Sequence, residues 1–181
     1  MLKSGYTYSL FFVTAGLTSG LFSQLSPLVA VVYPEGFPGG LLGIALLILR
    51  VVFGILFVRH GYPKITHLTQ WSKALKFPIY LCFIAAWTMF IGGFFLVAGL
   101  LTPIVSLGLL GTMLFALVME MLQGHPFVAQ DPYLVPKGEY EGPDGTAEPP
   151  SYEKAVIYCS VMILLLLLGP GAFSIDAVLF N

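Results

Sequence analysis

One arginine, Arg50, stands inside an otherwise apolar run over residues 39–58. That run is long enough to cross a bilayer, at about 1.5 Å of rise per helical residue against a hydrocarbon core of about 30 Å. A cation near the middle of such a helix costs roughly 2.5–3.5 kcal/mol on insertion scales, so it has to face protein or water and find a partner. Read at helical spacing, Arg50, Gly54, Phe57, Gly61 and Lys64 share one face, and Gly43 lies one heptad earlier on the same side. A face that joins small residues to a buried charge is a helix-packing face, because small residues let backbones approach and polar groups then meet across the contact.

The rest of the chain agrees with a membrane setting. Hydrophobic residues make up 57% and charged residues only 9% of the 181, too few charges for an ordinary soluble surface. The expected class is an all-α integral membrane protein, its partner in the first instance the lipid bilayer. A net charge of −1 argues against nucleic acid, since no basic patch is present to neutralise phosphates. Cys82 and Cys159 lie in apolar runs with no CxxC spacing, which reads as small buried hydrophobes.

Taken in order, residues 1–38 form an apolar segment and a turn. Its part over 9–33 is diluted by Thr14, Thr18, Ser19, Ser23, Gln24, Ser26 and Pro27, and is expected to be an extra membrane segment. Residues 39–181 are the main bundle. After the span over 39–58, the stretch 59–77 carries Arg59, Lys64, Lys73 and Lys76 without an acid, which predicts a cytoplasmic loop. Trp71 and Tyr80 suit an interfacial belt beside it. Residues 78–122 are too long for one helix and predict a hairpin broken near Leu101, Thr102 and Pro103. Gly92, Gly93 and Gly99 on its first arm, and Gly108 and Gly111 on its second, offer places for close helix contact. Residues 123–151, acidic and rich in proline and glycine, read as an extramembrane connector. A last span over 152–168 is stopped by Gly169, Pro170 and Gly171, after which Ser174 and Asp176 can cap a terminal turn.

Leu49 and Arg50 with Gly54, then His60, Gly61 and Lys64, the pair Gly92 and Gly93, Gly99 to Thr102, Met113 with Ala116, Tyr152 with Glu153, and the ending Gly169, Pro170, Gly171, Ser174 and Asp176 follow one another in an order that resembles the DoxX family over residues 41–179. The resemblance implies a four-helix membrane bundle associated with quinone-linked electron transfer. DoxD relatives are linked to terminal quinol oxidases and thiosulfate:quinone oxidoreduction, and some DoxX proteins look like membrane anchors for soluble redox enzymes. The chain departs from the usual family pattern at Met89, where a glutamate is usual, and at Pro103, where an arginine is usual. Both charges are absent together, which reads as the removal of a polar feature.

Two roles stand for the remaining polar groups. Arg50 either pairs with Glu120, Glu153 or backbone carbonyls, or donates to a quinone carbonyl or anionic head group. His60 and Lys64 are either interfacial anchors or quinone contacts. Glu120, with His125 just beyond, either snorkels to the interface or relays protons. No metal site, haem, flavin or nucleotide motif is evident, and quinone is the one cofactor the resemblance offers. The expectation is an accessory, non-catalytic subunit that packs against other subunits of an electron-transport complex in a prokaryotic-type inner or energy-transducing membrane. A quinone-interacting oxidoreductase subunit is the alternative.

Overall fold

The computed structural model describes residues 36–131 and 149–180, together with Gln24 and Pro27, which are helical. The remainder of the 9–33 segment, and residues 132–148 of the acidic connector, lie outside the described residues. Within them the chain is helical: α1 (Gly40–Thr66), α2 (Leu68–Leu75), α3 (Ile79–Ala98), α4 (Thr102–Leu122), α5 (Glu153–Leu168) and α6 (Ile175–Phe180). α1, α3 and α4 are long and apolar enough to cross a membrane. α5 has 16 residues and extends about 24 Å, short of a typical hydrocarbon core.

The buried residues of α1 are Gly43, Leu46, Arg50, Gly54, Phe57 and Gly61, a single face at helical spacing. That face packs against α3, and the two helices run antiparallel, since Gly61 lies against Phe90, Gly54 against Gly93 and Val97, and Arg50 against Gly99. The approach is close enough that backbone meets backbone. Outward-facing side chains such as Ile48, Phe94, Ile104 and Leu167 are more than half exposed, as expected of surfaces meant for lipid.

The hairpin between α3 and α4 is built as its residues dictate. α3 ends in a left-handed glycine, Gly99 at φ 66°, whose amide bonds Leu96 O while Leu100 N bonds Phe95 O, the two closing bonds of a Schellman motif. Leu101 also takes a left-handed conformation at φ 50°, and Pro103 enters the first turn of α4, where its missing amide donor is harmless. α4 then packs on α5, and Tyr158 of α5 reaches back to α1, edge-on to Phe53 at 5.3 Å and to Phe57 at 5.0 Å between ring centroids. Leu46, Phe57, Met89, Leu96, Leu109 and Met162 lie in the common core, and both cysteines are buried and unpaired.

The basic stretch corrects the sequence expectation. α1 does not stop near Val58 but continues to Thr66 with Pro63 inside it, and α2 occupies residues 68–75 of what reads as a loop. Pro63 removes one backbone donor, but it lies in the last turn, where the closing bonds are remade by His67 N on Pro63 O and by Thr66 Oγ1 on Tyr62 O and Pro63 O. α2 ends on Lys76, left-handed at φ 54°, with Phe77 N donating to Ser72 O.

The glycines of the hairpin differ sharply in what surrounds them. A Cβ at Gly92 would touch the Leu109 side chain at 3.2 Å and one at Gly108 would touch Thr88 at 3.4 Å, whereas nothing lies within 4 Å of one at Gly111. Gly111→Ala is therefore expected to leave stability unchanged or raise it slightly, because alanine relieves the backbone-entropy penalty of a helical glycine, about 0.5–1 kcal/mol, without meeting a neighbour. Thermal unfolding in detergent checks this: a loss beyond about 1 kcal/mol would show a contact on that face.

Candidate functional site

Two polar places lie at opposite ends of the helices. The first surrounds Arg50, which is fully buried. Arg50 Nη2 donates to the carbonyl oxygen of Phe173 at 2.5 Å, and Asp176 supplies the negative charge that it feels. Asp176, itself 2% exposed, is held by the start of α4: Leu101 N donates to its Oδ1 at 2.6 Å and Thr102 N to its Oδ2 at 2.8 Å. The carboxylate thus sits where the helix dipole favours an anion, satisfying amides that the first turn of α4 leaves unpaired. Asp176 N in turn donates to Gly99 O at 2.9 Å.

The arm that carries Asp176 is shaped by the sequence after α5. Gly169 and Gly171 adopt positive φ and turn the chain back over α1. Ala172 N donates to Pro38 O at 2.8 Å, and Ser174 caps α6 by accepting Ala177 N at 3.0 Å while donating to Gly171 O at 2.7 Å. A Cβ on Gly99 would run into the Arg50 guanidinium and come within 2.6 Å of Ser174 Cβ, so the arginine lies directly on the hairpin turn. The first polar place is consequently a latch: the bond from Arg50 to Phe173 O joins α1 to the C-terminal arm, and the bonds of Leu101 N and Thr102 N to Asp176 join that arm to the α3–α4 turn. Arg50 Nε and Nη1, Thr102 Oγ1 and Ser106 Oγ meet no hydrogen-bond partner among the described residues.

This placement corrects the expected partners of Arg50. Glu120 is in the last turn of α4, in contact with His125 Nδ1, and Glu153 opens α5, both at the far end of the helices. Of the partners expected from sequence, a backbone carbonyl is present; the charge comes from Asp176. Arg50 is also level with the hairpin turn rather than midway along a span.

The second polar place lies at that far end, about ten residues along α1 from Arg50 and roughly 15 Å away along the axis. His60 lies edge-on to Tyr158 at 5.6 Å between ring centroids. Lys64 Nζ donates to Met89 Sδ at 3.3 Å and stands 5.1 Å from the centre of the Trp71 ring, so its stem covers α3 and its charge rests against an aromatic face. Met89 is thus a residue that the ammonium touches. Lys154 is close enough for its charge to be felt at His60, as is that of Lys64. The turn after α4 is tied to the start of α5 by Tyr152 N on Pro126 O at 3.2 Å and by the Phe127 and Tyr152 rings at 5.3 Å. Arg50 is therefore not brought together with His60 and Lys64, and among the described residues no three of His, Cys, Asp and Glu gather as a metal would need.

Asp176 and Gly99 as a unit with Arg50 are what reading along the chain did not assemble. The signal was present in parts: a lone buried cation, a helix start lacking its own cap, and an acid after a glycine-bounded turn. Residues 45–121 match the family model described as DoxX. No curated protein and no solved structure matches the chain.

Proposed function

We propose that this chain, whose residues 45–121 match the family model described as DoxX, is an accessory, non-catalytic subunit of a larger membrane electron-transport complex. In this reading α1, α3, α4 and α5 together form a four-helix membrane bundle, residues 9–33 add a membrane segment, and the basic connection between α1 and α3 faces the cytoplasm of a prokaryotic-type cell. One observation carries it. The single charge inside the run over residues 39–58, Arg50, is fully buried and bonded to Phe173 O of the C-terminal arm, beside the buried Asp176, which supports a role in holding the bundle together. Broad exposed apolar faces on α1, α3 and α4 suit packing against lipid and neighbouring membrane helices.

The alternative, a quinone-interacting oxidoreductase subunit, draws on the second polar place, where His60 is exposed at the end of a span and Lys64 lies one turn further on. Purification of the tagged chain in mild detergent, with mass spectrometry of co-purifying proteins and of extracted quinone, separates the two. Stoichiometric recovery of redox subunits, with their activity lost from membranes lacking this chain, is the expected result. Recovery of the chain alone with stoichiometric quinone would overturn it.

A further inference from the structure

Buried polar atoms of α1 and α4 are left over once the latch is made. Arg50, Thr102 and Ser106 are each fully buried, and Arg50 Nε and Nη1, Thr102 Oγ1 and Ser106 Oγ make no hydrogen bond among the described residues. A hydroxyl on a helix usually satisfies itself by donating to a carbonyl of the preceding turn. Thr112 Oγ1 does so with Leu109 O at 2.7 Å, and Ser160 Oγ with Val156 O at 2.8 Å. Thr102 and Ser106, one turn apart on the buried face of α4, do not.

These atoms belong to one level of the bundle interior. Arg50 Nη1 lies where a Cβ of Gly99 would stand, and Thr102 follows three residues later. Asp176 fastens the two places together: its amide donates to Gly99 O at 2.9 Å, and its Oδ2 accepts Thr102 N at 2.8 Å. Apart from this level, α1 and α4 barely touch. Nε and Nη1 do not share an edge of the planar guanidinium, so no single acceptor atom serves both. The field of the buried Asp176 carboxylate already meets the Arg50 charge, which disfavours a further anion where desolvation is costly. We propose that Arg50, Thr102 and Ser106 hold internal water that joins α1 to α4. Water accepts from a guanidinium and both donates to and accepts from a hydroxyl, and a buried water takes about three polar partners, which this group provides.

The test is a crystal structure of the full-length chain grown in a lipidic mesophase, at a resolution that shows ordered water, with and without a bromide soak. The expected result is density within hydrogen-bonding distance of Arg50 Nε or Nη1 and of the Thr102 or Ser106 hydroxyl, without an anomalous bromide signal. Alkylation of the buried thiols of Cys82 and Cys159 in detergent gives a second reading, because the two cases have opposite signs. Removing an orphan hydroxyl relieves its desolvation penalty and slows opening, whereas removing one that holds water deletes a bond. Ser106→Ala is expected to hasten alkylation roughly fivefold, the ratio that one ordinary hydrogen bond supplies, even though alanine favours the helix. Ser160→Ala, at an exposed hydroxyl, should leave the rate unchanged. Hydroxyls turned onto α4 carbonyls with no density beside the guanidinium would overturn the proposal. Bromide at the site would do so too, by assigning it to an anion, as would alkylation of Ser106→Ala no faster than that of wild type.

Discussion

Replacing Arg50 with methionine is expected to destabilise the protein by about 3–5 kcal/mol, because it leaves the buried Asp176 charge without the buried cation whose field it shares. The side chain removed is similar in length, so little volume is lost. What remains is the Asp176 carboxylate, 2% exposed and without its counter-charge, and a Phe173 carbonyl without its donor. Asp176→Asn is expected to cost a comparable amount for the converse reason, since it leaves the guanidinium buried and uncompensated and weakens the cap on Leu101 N and Thr102 N. The double variant should cost clearly less than the sum, because neither buried charge then lacks a partner. The rate at which the buried thiols of Cys82 and Cys159 are alkylated in detergent reads the opening of the bundle directly. Additive single effects, or single effects below about 1 kcal/mol, would show that Arg50 and Asp176 act separately and would remove the latch.

Gly54→Ala and Gly93→Ala are expected to have the second-largest effect, about 1–3 kcal/mol each, although each adds only a methyl group. A Cβ on Gly54 would lie 2.7 Å from Gly93 O and 3.0 Å from Val97 N; one on Gly93 would lie 2.7 Å from Gly54 O and 2.8 Å from Val58 N. These are backbone atoms and cannot rotate aside, so the α1 and α3 helices must separate along their whole contact. Dispersion falls off over a fraction of an ångström, and in lipid no hydrophobic gain compensates for the gap. Unfolding of the purified variants in detergent, compared with Gly111→Ala as the control in open space, measures the effect. Equal stability of all three would show that the α1–α3 contact is looser than these distances require.

Several features were legible along the chain because their causes are local. The spacing of Gly43, Arg50, Gly54, Phe57 and Gly61 marks the face that α1 buries, and Leu101 to Pro103 marks the hairpin. Pro63 illustrates where local reasoning fails: proline ordinarily ends a helix, but here its position in the final turn and the bonds made by His67 N and Thr66 Oγ1 let α1 continue into what reads as a loop. α2 escapes for a related reason, since its pattern spans barely two turns and is too short for periodicity to declare.

The sequence by itself determined that the chain is apolar and helical, that Arg50 must be sheltered, and which face of its helix would shelter it. Those follow from the cost of exposing a charge or an unpaired backbone group to hydrocarbon, which each residue imposes wherever it lies. Only the tertiary structure decided that Arg50 bonds Phe173 O and that the carboxylate whose charge it feels is Asp176 rather than Glu120 or Glu153, and that Arg50 stands apart from His60 and Lys64. The reason is that a carboxylate's fitness as a partner depends on which helix ends lie level in the folded molecule. Antiparallel packing of α3 on α1 brings the Gly99 turn to Arg50, and the turn at Gly169 to Gly171 folds Asp176 over both.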